Sequence, residues 1–386
     1  MSERVAGLRG KAGWLALWVV LLLTPLFLER FWMQTGLFAM AAAIGAIGLT
    51  ILVGTTGQLS LAHAFFVAVG AYGYCYFAGG ETLGIQSTAG LGLPPVIALV
   101  LAVLLAGLCG ALFSPIAGRL RGIYLGIASI GLVFIGQHIL FNATDLTGGF
   151  NGRDAEPFSV LGFSFTATDP EITIAGVTFT ELEKLWYLGL VLVAVSWWFA
   201  RNLVRGRPGR ALEIVRDHEV AASVMGVDVT RYKAAAFTVS SMYAGLAGVL
   251  LALAFARIVP NSFGFVLSVE YLVMVVIGGL GSVGGAIVGA VFVSLLPRVL
   301  EKYSDSLPLL AEAGEDGVTP SQAARFAYGA AIIAVLLYLP GGLAGLRRRL
   351  SRVRRRRGRP PAGEEPPPAA EELPPLRSTE VKETAP

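Results

Sequence analysis

The stretch that decides the fold is Arg201–Lys233, which reads RNLVRGRPGRALEIVRDHEVAASVMGVDVTRYK. Seven of its residues are lysine or arginine, and long apolar runs lie on both sides of it. Such a basic island between apolar runs is typical of a loop on the cytoplasmic side of a bilayer. Its second half, Glu219–Gly226, has the pattern E-x-A-A-x-x-x-G. The chain is therefore predicted to cross a membrane on both sides of this loop.

The composition extends that prediction to most of the chain, because 55% of the residues are hydrophobic, only 15% are charged, and the mean hydropathy is +0.68. The apolar runs are continuous and approach the ~20 residues that cross a bilayer as a helix. A membrane β-barrel would instead show alternating segments of about ten residues. We predict an all-α polytopic membrane protein with about eight to ten transmembrane helices. The candidate spans are 14–28, 33–53, 59–79, 94–114, 122–142, 185–200, 234–256, 266–280, 284–297 and 323–345.

The charge distribution predicts the orientation of these spans and the domain organisation. The head, residues 1–13, is basic and precedes an apolar run without a small-residue cleavage site, so we expect an uncleaved first helix. The segment 347–359 has nine arginines and no acid, whereas 144–183 has one basic residue and seven acids. Because cytoplasmic loops carry the basic excess, both termini are predicted to be cytoplasmic and 144–183 external, with a small β-hairpin near its end.

Three regions follow from this reading: a cytoplasmic head 1–13, a transmembrane domain 14–346 and a cytoplasmic tail 347–386. The tail is basic at first and then rich in proline and glutamate, so we expect it to be disordered. Its arginine-rich start is predicted to bind anionic lipid headgroups. Nucleic-acid binding is not expected for an arginine run beside a membrane helix.

A glycine-rich centre, Gly278–Gly285, interrupts the apolar stretch 266–297. That stretch is too long for one helix, so a broken or re-entrant pair is predicted, with Gly279 and Gly281 as candidates for the translocation path. Irregular backbone at membrane depth is allowed only where protein or a water-filled cavity covers it. The match to G-x-G-x-x-G is rejected as a dinucleotide site because membrane-length apolar runs, and no βαβ unit, surround it.

The centre of the 201–233 loop is predicted to be one helix that starts near Pro208 and stops at Gly226. One face carries a mostly apolar stripe of Leu212, Val215, Glu219, Ala222 and Met225. The small residues Ala221, Ala222 and Gly226 would let a partner's groove approach closely, and Arg207, Arg210 and Arg216 would supply charge at its rim. The alternative is an interfacial helix that lies on the lipid headgroups.

A second polar group, Gln58, Ser60 and His63, lies at the predicted cytoplasmic edge of a span. Intramembrane polar side chains are expensive and often functional, which favours a substrate path or gate. Hydrogen bonding between helices is the alternative interpretation. No carboxylate stands at ligand spacing from His63, so a metal site is not expected. The sequence also has no G-x-x-x-x-G-K-[ST] segment, so no cofactor and no ATP site of its own is predicted.

Several motifs together resemble those of the LivM-type permeases of branched-chain amino-acid ABC importers. They occur in the family's order over about 35–346, with alanine at 62 and phenylalanine at 150 as modest departures. The motifs are GQLSL at 57–61, RLRGIY at 119–124, LTGGFNG at 146–152, GRAL at 209–212, AGLAG at 244–248, GGLGS at 278–282 and PGGLAGL at 340–346.

The resemblance implies an ABC importer permease fold in a bacterial inner membrane. It implies two cytoplasmic ATP-binding subunits that hydrolyse ATP with magnesium, a second LivH-like permease and an external substrate-binding protein. The segment with Arg210, Glu219, Ala221, Ala222 and Gly226 would be the loop that couples the ATPases to transport. Branched-chain or related hydrophobic amino acids are the implied substrates. Urea or a short amide is the alternative within the family, and a channel or secondary transporter is the alternative outside it.

Overall fold

The computed structural model describes residues 18–80, 88–120, 122–160, 163–165, 172–174, 177–303 and 319–338, together with 342, 343 and 345. The predictions for the head 1–13 and the tail 347–386 lie outside the described residues. Within the described ranges the chain is dominated by helices, which confirms the all-α fold class. The helices are α1 Arg30–Leu49, α2 His63–Ala78, α3 Pro95–Arg119, α4 Ile123–Asn142, α5 Glu181–Arg205, α6 Arg207–Asp217, α7 Glu219–Val224, α8 Val229–Phe255, α9 Phe265–Gly278, α10 Val283–Lys302 and α11 Pro320–Tyr338.

Six segments of the described chain are long and apolar enough to cross a membrane. They are Arg30–Gly54, Pro95–Arg119, Ile123–Asn142, Glu181–Arg205, Val229–Phe255 and Val283–Lys302. The first includes α1 and a π-helical turn, Thr50–Gly54, that continues it. Helices α2 and α9 have only 16 and 14 residues, so they rise about 24 and 21 Å at 1.5 Å per residue, less than the ~30 Å of a hydrocarbon core.

Helix α8 is the centre of the bundle and packs on α1, α2 and α3. Glycines make its contact with α2 close: a Cβ added to Gly70 would overlap the carbonyl oxygen of Gly245, and one added to Gly248 would overlap that of Val67. Small residues let helices approach closely in membrane proteins. Close packing stabilises helix association there, because the hydrophobic effect does not act between helices in lipid. The contact between α2 and α8 is therefore a close backbone contact that leaves no space for a larger side chain at these glycines.

Short strands mark one end of the bundle, which we call the strand end. Arg153–Asp154 (β1) pairs antiparallel with Arg257–Ile258 (β6), which joins the 144–160 segment to the turn after α8. Two hairpins pair Ser159–Val160 (β2) with Phe163–Ser164 (β3) and Ile172–Ile174 (β4) with Val177–Phe179 (β5). The second confirms the hairpin predicted near the end of the 144–183 segment.

The opposite end, which we call the loop end, carries α6 and α7. The glycine-rich turn between α9 and α10 also reaches this end, since a Cβ on Gly54 would overlap the backbone of Gly281. Helix α9 starts beside the strand-end turn Pro260–Phe263, so α9 and α10 form a hairpin that runs from one end of the bundle to the other. The sequence left open whether this pair is broken or re-entrant; the structure shows two helices that meet at the glycine-rich turn.

Candidate functional site

The 201–233 loop folds as two helices, α6 and α7, and the prediction of one helix is wrong. The chain breaks at His218, whose φ of −152° and ψ of 96° are extended. Pro208 stands in the first turn of α6, and Gly226 follows α7 with a φ of +83°, so the predicted start and stop are confirmed. A left-handed residue at that position is the usual way to end a helix, and glycine adopts it without steric cost.

The break changes which side chains face outward. Leu212, Val215 and Ala222 are buried as the stripe predicts, but Met225 is 70% exposed. Val220 and Val224 are also exposed, at 77% and 83%, although both are apolar. We call Val220, Val224 and Met225 the α7 patch. A short helix that is buried through an alanine and presents three apolar side chains outward is typical of a surface that contacts another protein or a membrane.

An ion pair fixes α7 to the bundle. Glu219, the first residue of α7, pairs with Lys233 of α8, whose side chain is only 6% exposed. Asp228 caps the start of α8 by accepting a hydrogen bond from the N–H of Arg231 at 3.1 Å. The acid of the E-x-A-A pattern thus holds the helix in place from inside and does not point toward a partner. Of the other predicted coupling residues, Ala221 and Arg210 are exposed.

Arg216 connects α6 to the transmembrane helices. Its Nη1 donates to the carbonyl oxygen of Gly54 at 2.8 Å, and its side chain lies against Gly57. Arg216 was predicted to supply charge at a partner's rim. One of its nitrogens donates into the protein, while the side chain is 41% exposed and also pairs with Asp217, so that prediction stays open. Gly54 ends the π-helical turn and lies within the last four residues of a helical segment that stops at Thr56, where carbonyl oxygens have no intrahelical donor. Arg210 stays at the surface, where its Nη1 donates to the carbonyl of Arg205 at 3.3 Å.

A segment without regular secondary structure, residues 57–62, precedes α2; Gln58, Ser60 and Ala62 in it are buried, whereas Gly57 and Leu59 are exposed. Serine hydroxyls from other helices satisfy its neighbouring backbone: Ser129 accepts from the N–H of Leu61 at 2.8 Å, and Ser268 accepts from the N–H of Ala64 at 3.0 Å. Irregular backbone at membrane depth needs such protein partners. Helix α2 therefore begins inside the bundle, as helices do in the discontinuous transmembrane segments of transporters.

The predicted path residues Gln58, Ser60 and His63 are all buried, with exposures of 6%, 3% and 3%. None of the described protein groups hydrogen-bonds to the side-chain amide of Gln58 or to Nε2 of His63. The His63 ring lies edge-on to that of Tyr271, with centroids 4.6 Å apart. Buried polar groups are normally paired, so an amide and one imidazole nitrogen without partners among the described residues favour a functional role over simple helix packing.

The glycine turn lies beside this segment. Gly279 and Gly281 have φ of +110° and +78°, values that residues with a side chain rarely adopt. Gly342 packs on Gly279. Gly54 touches Gly281 and also accepts the hydrogen bond from Arg216. The two predicted sets, the coupling loop and the path, therefore meet at Gly54. Sequence reasoning missed this joint because it depends on contacts between residues more than 160 positions apart.

The comparisons with known proteins bear directly on this arrangement. A family described as "Branched-chain amino acid transport system / permease component" matches residues 33–337. The chain belongs to this family. That range contains every predicted coupling and path residue.

Relatives with curated names agree. The permease protein LivM of the high-affinity branched-chain amino acid transport system is 31% identical over 301 residues in Salmonella typhimurium, covering 75% of this chain and 68% of that protein. The Escherichia coli K12 LivM is 31% identical over 300 residues, with the same coverage. The Salmonella typhimurium LivH is 26% identical over 309 residues, covering 78% of this chain and 91% of that protein. No solved structure matches.

The chain is therefore a multi-pass membrane protein and a permease component of a transport system with partner subunits. The resemblance to LivM-type permeases is confirmed. These relatives are named for branched-chain amino acids, which favours the main interpretation over urea or a short amide.

Proposed function

We propose that this chain is the transmembrane permease subunit of an ATP-driven importer for branched-chain or related hydrophobic amino acids, in a bacterial inner membrane. Both termini and the α6–α7 segment are cytoplasmic in this proposal. Two ATP-binding subunits hydrolyse ATP with magnesium, a second LivH-like permease completes the pathway, and an external protein delivers the substrate. The chain itself has no ATPase site. The observation that carries the proposal is the exposed α7 patch on a helix anchored by Glu219.

The geometry supports a coupling mechanism. When the ATPases close on nucleotide, they move α7 through the apolar patch, and the Glu219–Lys233 pair passes that motion to α8. Arg216 carries the motion of α6 to Gly54 and so to the glycine turn. The permease then changes between outward-facing and inward-facing states. The ATPases can drive this change only if the closed dimer binds one facing state more tightly than the other.

Position 226 tests the coupling assignment. A Cβ at Gly226 would have no heavy atom within 4 Å outside its chain neighbours, so a side chain there projects into the partner's space. Asn and Asp tolerate positive φ better than other side chains and differ mainly in charge. We expect Gly226→Asp to abolish substrate-stimulated ATP hydrolysis and uptake by the reconstituted importer, while Gly226→Asn keeps most of both. Assembly of each variant is checked by size-exclusion chromatography.

Normal transport by Gly226→Asp would refute the coupling assignment. If α7 instead lies on the lipid headgroups, a different result is expected. The aspartate at position 226 would then change only the association of the isolated permease with anionic vesicles, and ATP hydrolysis and uptake would stay normal. Cross-linking of Val224→Cys to the ATPase subunit separates the two directly.

A further inference from the structure

A cavity of about 220 Å³ opens between α1, α8, α9 and α10 in the half of the bundle nearer the strand end. Its wall is mostly apolar and aromatic, with four hydrophilic side chains on it: Glu270, Arg298, Ser262 and Ser294. This volume is below the ~300–1,000 Å³ of sites for drug-sized ligands, so the cavity suits one small molecule. Nothing in the coupling mechanism uses these residues.

The two charged residues stand on different helices of the cavity, Glu270 on α9 and Arg298 on α10. Arg298 also pairs with Glu301 on its own helix at 3.0 Å. The guanidinium of Arg298 also lies 5.7 Å from the ring centroid of Phe38. An acid and a base that stand on different helices of one cavity offer separate places for a positive and a negative group.

Resting on the proposed function, we infer that this cavity receives the amino acid as a zwitterion on its way from the strand end. The α-ammonium lies at Glu270 and the α-carboxylate at Arg298, whose planar donors match a carboxylate. The side chain lies on the apolar wall, which includes Phe38, Phe255 and Met274. Ligands with one charge would meet a like charge in the same space, so the arrangement selects for a molecule with both.

The cavity continues toward the predicted path. Tyr271, which is only 1% exposed, lines the cavity, and its ring lies against His63. Nε2 of His63 and the side-chain amide of Gln58, five positions earlier in the chain, have no hydrogen-bond partner among the described groups. A polar solute that leaves the cavity past Tyr271 would therefore meet Nε2 of His63, which has no partner among the described groups.

Thiol protection tests the site without relying on transport. Ser294→Cys places a thiol on the cavity wall, and Ser262→Cys is the second position if the first variant fails to assemble. In the assembled importer without its external binding protein, we expect millimolar leucine to slow labelling by a small methanethiosulfonate about tenfold. Acetate and methylamine, which each carry one of the two charges, should not. The intact chain, with Cys75 and Cys109 only, gives the background rate.

Glu270→Gln and Arg298→Gln in the Ser294→Cys chain should each remove most of this protection. Glu29→Gln is the matched control, because this exposed acid pairs with Lys302 on α10 and does not line the cavity. Absence of leucine protection at both thiol positions, or equal protection by acetate alone, would overturn the site. If leucine does not protect either thiol but the unmodified importer still takes up leucine, the site is wrong and the proposed function stands. If leucine protects the thiol but the unmodified importer does not take up leucine, the proposed function is refuted instead.

Discussion

Neutralising Glu219 should loosen α7 more than neutralising its partner Lys233. The two side chains differ in exposure, at 31% for Glu219 and 6% for Lys233. Glu219→Gln leaves a buried ammonium without its acid, whereas Lys233→Met leaves a carboxylate that water can reach and fills the buried space with an apolar chain of similar length. The order of the two effects therefore follows from burial alone.

The magnitude can be worked from that difference. Breaking a fully buried ion pair by removing one partner costs about 3–5 kcal/mol. Since Glu219 is partly exposed, water screens the pair, and we expect Glu219→Gln to cost about 2 kcal/mol. Lys233→Met should cost about 1 kcal/mol or less, because the carboxylate left behind is hydrated. The double variant should behave like Lys233→Met.

Amide hydrogen exchange of α7 measures these costs. If α7 opens locally from α8, a loss of about 2 kcal/mol raises its exchange rate about 30-fold, and a loss of 1 kcal/mol about fivefold. Substrate-stimulated ATP hydrolysis by the reconstituted importer should fall in the same order. Equal exchange rates in the two single variants, or faster exchange in Lys233→Met, would refute the anchoring role of the pair.

Three further variants test the packing and the path. Gly70→Ala should lower the thermal stability of the permease markedly, because its Cβ would overlap a backbone carbonyl of the facing helix, and overpacking costs about 1–3 kcal/mol; a melting temperature equal to that of the parent would contradict this packing. Gly281→Ala, at a φ of +78°, should slow uptake, while Gly284→Ala, which has open space, should not; equal uptake by both would dismiss the turn as a functional element. Ser268→Ala should cost about 1–3 kcal/mol by leaving the buried N–H of Ala64 unpaired, as measured by thermal unfolding in detergent, and Ser268→Thr should restore stability if the hydroxyl is what matters.

The sequence predicts the helices well because each depends on local features. The apolar runs are long, Pro208 and Gly226 punctuate the loop, and the alternation near residues 172–179 marks a hairpin. The single loop helix was wrong because the break at His218 has no local signal: neither glycine nor proline stands there. Its cause is tertiary, since Glu219 must reach Lys233 on another helix.

The site was predicted as two separate sets of residues, and their connection was not. Arg216 is one of seven basic residues in its loop, and nothing in the sequence distinguishes it from Arg210. Only the fold brings its guanidinium to Gly54. The sequence marks Glu270 as an acid near an apolar span that could line the path, but its meeting with Arg298 in one cavity was hidden, because the two residues lie 28 positions apart on two helices that meet only after the glycine turn has formed.

The segment before α2 has a consequence for biosynthesis. The chain leaves the ribosome from its N-terminus, so the segment's own N–H groups enter the membrane before their partners exist. Ser129 follows Leu61 by 68 positions and Ser268 follows Ala64 by 204. Until α9 has been translated, the start of α2 is a polar backbone without its final partner. This part of the protein should therefore reach its native form late, and truncated chains that end before α9 should be more readily degraded than chains that end just after it.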